Sequence, residues 1–296
     1  MSVQLFGLCY KGSKNGICKE LFDYLPNGER FIDLFGGGGA MSHYAYLTQR
    51  YKEVCYNEFN EDLVEVIRQV TTATPPPLRW ISRQEFKNPY CPYFFKLLYS
   101  FNCNLQDYFC AIEKENLYHE LYEIIIEGKY NNALSCLLKE KDREGFEYLY
   151  YLNDYYSRRK LVSELLNLTV NDISIKPIDR YLRMQNIYNI NLTITNSSYE
   201  NYVYKEGDVV YCDPPYENTR QEGYLSVFNS KKFYEWALSR EYSVYISSYK
   251  LPADFHLVAE IKKQNLADRN NKVTIERLYC NKKVKTYKQL FFNFDC

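Results

Sequence analysis

The chain lacks the cysteine and histidine spacings that metal sites and disulfide scaffolds need. Its ten cysteines include no Cys-x-x-Cys pair, and its three histidines (His43, His119 and His256) are scattered among them. This spacing fits neither a zinc site nor a small disulfide framework. We therefore expect no bound metal and a cytoplasmic location.

The chain also lacks an excess of either charge, because 37 basic residues balance 37 acidic ones. A nucleic-acid partner would therefore have to bind local basic patches. The candidates are Arg158-Arg159-Lys160, Lys262-Lys263 and Lys282-Lys283 with Lys285. Long apolar runs are missing too, and residues 1–14 lack the apolar core of a signal peptide, so we expect no membrane partner.

The first quarter of the sequence has the pattern of an α/β protein. A short apolar strand at residues 30–34 runs into Gly36-Gly37-Gly38-Gly39, and a helix follows from about residue 41. A second strand at 54–57 and a helix at 60–72, with Leu63, Val64 and Ile67 on one face, complete the unit. This order predicts a doubly wound, mostly parallel sheet.

A proline-rich break at residues 74–77 separates this opening from a segment with helical periodicity. We predict a mostly helical insert at residues 84–177, with the α/β core formed by 1–83 and 178–296. Core strands are expected at 192–195, 209–212 and 242–247. The segments 273–280 and 287–294 are predicted to form a C-terminal antiparallel hairpin.

The most informative motif follows the apolar run Val209-Val210-Tyr211-Cys212. The run ends in Asp213-Pro214-Pro215-Tyr216. Ligands of α/β proteins bind beyond the carboxyl ends of such strands. Asp213 is a hydrogen-bond acceptor. The prolines have no backbone N–H and a fixed φ, so the carbonyls here can point at a ligand, and Tyr216 offers an aromatic face for stacking. The motif suits a flat ring that carries an amino group.

Two further segments could hold a second ligand. The glycines at 36–39 allow close approach to a ligand, although Met41 stands where a dinucleotide motif has its third glycine. Glu58 ends the second strand, where an acid commonly binds ribose hydroxyls. The cationic loop Tyr10-Lys11-Gly12-Ser13-Lys14 could hold a carboxylate. A tight turn, a surface acid and a flexible N-terminal turn remain the alternatives.

In this order the motifs resemble those of the Dam-like (D12 class) DNA adenine-N6 methyltransferases. The similar segments are Tyr10-x-Gly12-Ser13-Lys14, Phe31-Ile32-Asp33-Leu34-Phe35-x-Gly37-x-Gly39, Asn57-Glu58-x-Asn60 and Asp213-Pro214-Pro215-Tyr216. The resemblance covers nearly the whole chain and is weakest in the insert. It implies a Rossmann-like methyltransferase core and a target-recognition insert.

The resemblance also implies S-adenosylmethionine as the methyl donor. Asp33 would take the donor's amino group, and Phe35, Gly37 and Gly39 would line its methionine part. Glu58 would bind the ribose hydroxyls, and Tyr10 and Lys14 would contact the carboxylate side. Ser198 and Tyr199 stand where relatives often have an Asp-Phe pair against the cofactor adenine.

The acceptor implied by the resemblance is adenine in double-stranded DNA, flipped out of the duplex. Asp213, Pro214, Pro215 and Tyr216 would form the catalytic turn. Thr219, Arg220 and Tyr224 belong to a candidate closing loop, with a simple surface loop as the alternative. Phosphate or base contacts, not assigned residue by residue, are expected from basic residues in and next to the insert and in the terminal segment, together with the loop residues just named. The basic residues are Arg83, Arg158, Arg159, Lys160, Lys282 and Lys283.

Other functions remain open from the sequence. The acceptor could be an RNA base, the N4 amino group of cytosine or a protein glutamine, and a non-catalytic DNA-binding relative is a further alternative. The insert lacks the pattern of GATC-specific relatives, so a GATC target is not supported. We expect a monomer or weak dimer, acting as an orphan or phage-type enzyme or beside a separately encoded restriction endonuclease.

Overall fold

The computed structural model describes residues 6–72, 75–215, 228–264 and 273–284. Contacts divide the chain into two compact units. Unit 1 comprises Met1–Pro76 and Arg183–Cys296, and unit 2 comprises Pro77–Leu182. The predicted insert at 84–177 falls within unit 2.

Unit 1 is built on a seven-stranded sheet with the order β3-β2-β1-β4-β5-β7-β6. Its strands are β1 (Arg30–Asp33), β2 (Glu53–Asn57), β3 (Thr193–Thr195), β4 (Asp208–Cys212), β5 (Val244–Ser248), β6 (His256–Gln264) and β7 (Val273–Cys280). The first five strands pair in parallel, and β7 runs antiparallel to both β5 and β6. This topology confirms the predicted Rossmann-like α/β fold.

The helices follow the same division into two units. In chain order they are α1 (Cys18–Phe22), α2 (Ala40–Thr48), α3 (Glu61–Thr72), α4 (Arg83–Lys87), α5 (Tyr93–Tyr99), α6 (Glu115–Tyr122), α7 (Ala133–Lys141), α8 (Arg143–Tyr148), α9 (Tyr155–Leu166), α10 (Lys176–Met184) and α11 (Ser230–Leu238). Unit 1 contains α1, α2, α3 and α11, and unit 2 contains α4 to α9. Helix α10 crosses the boundary at Leu182.

The sheet of unit 1 is buried on both faces. Ile32, Val210 and Ile246 pack with Phe233 and Trp236 of α11 in one apolar cluster. On the other face the ring of Phe31 packs against Phe22 of α1 and stacks on Tyr211 at 6.2 Å between ring centroids. Burial on both faces explains why these strands are apolar runs rather than alternating patterns.

Within the described residues, the C-terminal antiparallel hairpin is formed by β6 and β7. The partner of β7 is β6, with His256 opposite Cys280 and Gln264 opposite Val273. Strand β5 pairs with the other edge of β7, and the second predicted hairpin strand is residues 287–294. Those residues lie outside the described part of the chain. Strand β6 escaped prediction because Glu260 and Lys262 interrupt its apolar pattern.

Unit 2 is helical, and its strand-like pairing within the described residues is one isolated bridge, between Ser100 and Tyr108. Helices α7, α8 and α9 start at side-chain caps. Asn132, Asp142 and Asp154 each accept a hydrogen bond from a backbone N–H of the helix that follows. An aromatic cluster fills the interior, with Trp80 contacting Tyr99, Phe109 and Tyr122.

Candidate active site

The predicted site residues of unit 1 meet at the carboxyl ends of β1, β2 and β4. A cavity of about 510 Å³ opens there, next to the point where the sheet order reverses. The predicted residues that line it are Tyr10, Lys14, Asp33, Phe35, Gly37, Glu58, Ser198, Tyr199, Asp213, Pro214 and Pro215. Gly39 is the N-cap residue of α2 and lies between the lining residues Gly38 and Ala40.

The glycine loop and the end of β2 are joined by a hydrogen bond. Gly37 has a φ of 49°, and its N–H donates to Oε2 of Glu58 at 3.0 Å. The other oxygen of Glu58 accepts from the N–H of Asn60 at 3.0 Å. Gly39, with a φ of 72°, caps α2. Burial raises the pKa of Glu58, and these backbone donors oppose that rise.

Asp33 ends β1 as a carboxylate that is only 1% exposed. Its Oδ2 accepts from the Oγ of Ser42 at 2.7 Å and from the N–H of Ser42 at 3.1 Å. Burial raises the pKa of Asp33 to about 7, the charges of Asp213 and Glu58 add to the rise, and the bonds from Ser42 oppose it. The group is therefore poised to bind a cation or a hydrogen-bond donor from the cavity.

Asp213, directly after β4, has a partner on each carboxylate oxygen. Its Oδ2 lies 2.5 Å from Nζ of Lys14, and its Oδ1 accepts from Oγ of Ser247 at 3.1 Å. The hydroxyl of Tyr211 lies 2.8 Å from the same Ser247 oxygen. Burial raises the pKa of Tyr211 well above its ordinary value, so its hydroxyl stays protonated. The Asp213 side chain is thus held in one orientation.

An aromatic wall closes the side of the cavity beyond β1. The ring of Phe35 stacks on Tyr199 at 5.8 Å between centroids and meets Phe228 and Phe233 edge to face. Tyr199 also packs edge to face on Trp236 of α11. Such a wall suits the flat face of a heterocyclic ring.

The order of these features along the chain matches a known family. The family model described as D12 class N6 adenine-specific DNA methyltransferase matches residues 10–237, which is more than half of the chain. The chain belongs to this family. The match confirms the resemblance inferred from the motifs, and it spans the glycine loop, Glu58, unit 2 and Asp213.

A segment of this D12-class chain is also similar to a curated protein. It is 38% identical over 55 residues to the DNA N-6-adenine-methyltransferase of Escherichia phage P1. That segment is 19% of this chain, and the chain spans 7% of the length of that relative.

Several residues that were predicted to form the site of this D12-class chain lie outside the described residues. They are Tyr216, Thr219, Arg220 and Tyr224. Lys282 and Lys283 follow β7, Lys282 half-buried and Lys283 exposed. Lys160 is exposed on α9, 3.8 Å from Glu164.

The three arginines predicted to contact DNA have partners inside unit 2. Arg83 pairs with Glu115 at 3.1 Å and donates to the carbonyl of Cys110. Arg158 donates to the carbonyl of Leu152 at 2.7 Å. These bonds stabilise helix ends and loops of the unit, and they occupy some of the five N–H donors of each guanidinium.

Arg159 shows most clearly that the prediction needs correcting. It is 7% exposed, its Nη1 lies 2.9 Å from Oδ1 of Asp179, and its Nη2 donates to the carbonyl of Val170 at 2.8 Å. A buried, paired guanidinium is part of the interior of unit 2. The sequence pattern Arg-Arg-Lys on a helix could not reveal this, because helix orientation decides which member faces inward.

Some residues of the site were not expected from the sequence. Ser247 lies at the end of β5, and Glu276 of β7 lines the cavity with a side chain that is 2% exposed. Asn57 links three strand ends by donating to the carbonyls of Leu34 and Ser197 at 3.0 and 2.9 Å. Asn57 belongs to the motif Asn57-Glu58-x-Asn60, whereas the sequence around Ser247 carried no signal.

Within residues 6–72, 75–215, 228–264 and 273–284, no cluster of three His, Cys, Asp or Glu side chains could hold a metal ion. None of the helices in those ranges is both long and apolar enough to cross a membrane.

Proposed function

We propose that this chain transfers a methyl group from S-adenosylmethionine to the N6 amino group of adenine in double-stranded DNA. One observation carries the proposal. Asp33, Glu58 and Asp213, which end three adjacent strands, line a single cavity beside a glycine loop. Two of these acids suit a donor with an amino group and a ribose, and the third suits an amino group to be methylated.

The residues present fit the methyl donor. Asp33 would bind its amino group, and the unused lone pairs of Glu58 would accept from its ribose hydroxyls. Phe35 and Tyr199 would pack against its adenine, with the Ser198 hydroxyl in place of a carboxylate. When bound, S-adenosylmethionine supplies an electrophilic methyl group on a positively charged sulfur.

Asp213 and Pro214 would prepare the acceptor nitrogen. The lone pair of an aromatic amine is delocalised into its ring, so the nitrogen is a weak nucleophile. If an Asp213 oxygen and the Pro214 carbonyl accept its two hydrogens, a pyramidal nitrogen with a localised lone pair is favoured. Pro214 is buried at the cavity, which keeps water from competing for these hydrogens.

Asp213 does not need to be a strong base in this reaction. As the new N–C bond forms and the C–S bond breaks, the target nitrogen gains the positive charge that the sulfur loses. A methylated arylammonium is a strong acid, so it releases one proton to Asp213 or to water. Asp213 therefore acts mainly by position and charge.

The target base must leave the duplex to reach this cavity. We assign the stacking of the flipped base to Tyr216, and closure over it to the segment 217–228. Unit 2 is proposed as the target-recognition domain. Lys160 of unit 2, and Lys282 and Lys283 of unit 1, are proposed as phosphate contacts. A GATC target is not part of the proposal.

The test is donor-dependent labelling of nucleic acid. The protein is incubated with S-adenosylmethionine carrying a labelled methyl group and with DNA of varied sequence, including the source genome, and the product is digested to nucleosides. We expect label in N6-methyl-2′-deoxyadenosine, lost in Asp213→Ala and kept in Asp62→Ala, an exposed aspartate in the first turn of α3.

Other outcomes would redirect the proposal. Label in N4-methylcytosine, in RNA or in glutamine would keep the chemistry and change the acceptor. Tight DNA binding with no label in any substrate would indicate a non-catalytic relative.

A further inference from the structure

Lys14 lies between two carboxylates in the cavity. The residue is 4% exposed, and its Nζ lies 2.5 Å from Oδ2 of Asp213 and 3.8 Å from Oε1 of Glu276. Glu276 comes from β7, on the far side of β5 from Asp213. The side chain of Glu276 is only 2% exposed. A buried carboxylate needs a partner of opposite charge, and the ammonium of Lys14 is a cation next to it.

This arrangement conflicts with the role proposed for Asp213. Its Oδ2 must be free to accept a hydrogen of the target amino group, but the ammonium of Lys14 occupies that oxygen at the distance of a strong charge-assisted bond. The other oxygen is held by Ser247. The ammonium of Lys14 must therefore move away from Oδ2 of Asp213 when the target base enters the cavity.

We propose that Glu276 is a positioning residue. Its carboxylate accepts a hydrogen bond from the ammonium of Lys14 when the target amino group donates to Oδ2 of Asp213. The inference rests on the proposed function and adds a two-position switch to it. In the resting protein Lys14 pairs with Asp213, and in the substrate complex it pairs with Glu276, which replaces the contact with the donor's carboxylate side that the family resemblance implied. Glu276 touches no reacting atom and acts through Lys14.

The geometry makes the switch short. The gap from Nζ to Oε1 of Glu276 is 3.8 Å, and closing it to a charge-assisted bond of about 2.8 Å needs a shift of about 1 Å. Rotation about the terminal bonds of a lysine side chain provides such a shift without backbone movement. The ammonium keeps a carboxylate partner at both ends of the path.

The charge of Lys14 is maintained throughout. Burial lowers the pKa of this ammonium, but the charges of Asp213 and Glu276, with a smaller contribution from Tyr249, outweigh burial and place the pKa above its ordinary value. Asp213, Glu276 and Tyr249 are among the groups that face it. Loss of the Glu276 charge would therefore lower the pKa of Lys14 and leave Asp213 as its one strong partner among them.

Glu276→Gln tests the switch because it removes the charge and keeps the size. We expect the single-turnover rate of methyl transfer, with donor and DNA both saturating, to fall about tenfold or more. The dissociation constant for the donor should stay within about twofold of the parent, because Glu276 does not bind the donor. In NMR of side-chain-labelled lysine, the pKa of the Lys14 ammonium should fall.

Glu260→Gln is the matched control. Glu260 lies on the neighbouring strand β6 and pairs with Arg277 at 2.6 Å, with a side chain that is 49% exposed. The same chemical change there should leave both the rate and the Lys14 signal unchanged. Glu276→Asp retains the charge, so it should recover a large part of the rate and keep the Lys14 pKa near the parent value.

The outcomes separate this inference from the proposed function. A parental rate in Glu276→Gln, or an unchanged Lys14 pKa, overturns the switch. Equal loss of rate in Glu276→Gln and Glu276→Asp also overturns it, because a mere packing role predicts that result. If Glu276→Gln does not fold, Glu276→Asp and the parent are compared by the same NMR titration. If the parent methylates nothing, the proposed function fails, whereas the pKa response of Lys14 can still be measured.

Discussion

The ammonium of Lys14 lies 2.5 Å from Oδ2 of Asp213, although 199 positions separate the two residues in the chain. The loop before α1 therefore completes the turn after β4. Ser247 contributes the other contact to Asp213, 34 positions further along. The candidate catalytic carboxylate is held by two distant segments, and its orientation depends on the closed sheet.

Ser247→Ala should slow methyl transfer and leave donor binding unchanged. The substitution removes the bond to Oδ1 of Asp213 and leaves the buried hydroxyl of Tyr211 without this partner. Loss of a hydrogen bond to a charged group predicts a rate about tenfold lower. Single-turnover kinetics and donor titration measure the two quantities. Ser239→Ala, at an exposed serine after α11, is the control, and equal slowing in both variants would refute the positioning role.

Glu58→Gln should weaken donor binding. The carboxylate accepts from the N–H groups of Gly37 and Asn60, and an amide NH₂ on either side would face a donor instead of accepting from it. We expect the dissociation constant for the donor to rise about ten- to a hundredfold. Calorimetric titration with S-adenosylmethionine checks this. Glu61→Gln, on the exposed side of α3, should bind as the parent does, and an unchanged constant in Glu58→Gln would remove Glu58 from the donor site.

Asp33 should make the protein less stable as the pH rises. Its pKa is raised from 3.8 to about 7 on folding, so the folded state holds the proton more tightly than the unfolded chain. The stabilisation is complete at low pH and is lost between these two values. From pH 5 to pH 7 the free energy of unfolding should fall by about 2 kcal/mol on this account.

The variant Asp33→Asn isolates this contribution. It should lack that part of the pH dependence, so its stability relative to the parent should increase from pH 5 to pH 7 in urea unfolding. A constant difference across this range would show that Asp33 is ionised at pH 5. The exposed Asp62→Asn is the control.

Arg159 and Lys160 are neighbours in α9 and should behave in opposite ways. Arg159→Ala leaves the partly buried Asp179 without its cation, so unit 2 should lose about 3 kcal/mol of stability. Lys160→Ala should leave the melting temperature unchanged. If Lys160 contacts a phosphate, the variant should lower the slope of log K against log salt by about 0.9. Thermal melting and anisotropy titrations at several salt concentrations measure both. A salt slope that changes only in Arg159→Ala would reverse the two assignments.

The strands and turns of unit 1 were predictable because their signals are local. The apolar run that ends at Cys212 is buried on both faces of the sheet, and such strands contain few polar residues. The glycines at 37 and 39 have positive φ values, and the sequence shows them directly. Strand β6 was missed because it lies at the sheet edge, where one side of the strand meets water and carries charged residues.

The amino-acid sequence by itself determined the parallel α/β order, the glycine loop, the strand-end acids and the turn at Asp213, because hydrophobic period and turn chemistry are properties of neighbouring residues. Tertiary structure alone decided that Lys14 contacts Asp213, that Glu276 lies within reach of the same ammonium, and that Arg159 points inward while Lys160 stays exposed. Those contacts depend on which strand ends meet and how each helix is turned against its unit. Residues far apart in the chain carry no mark of such proximity.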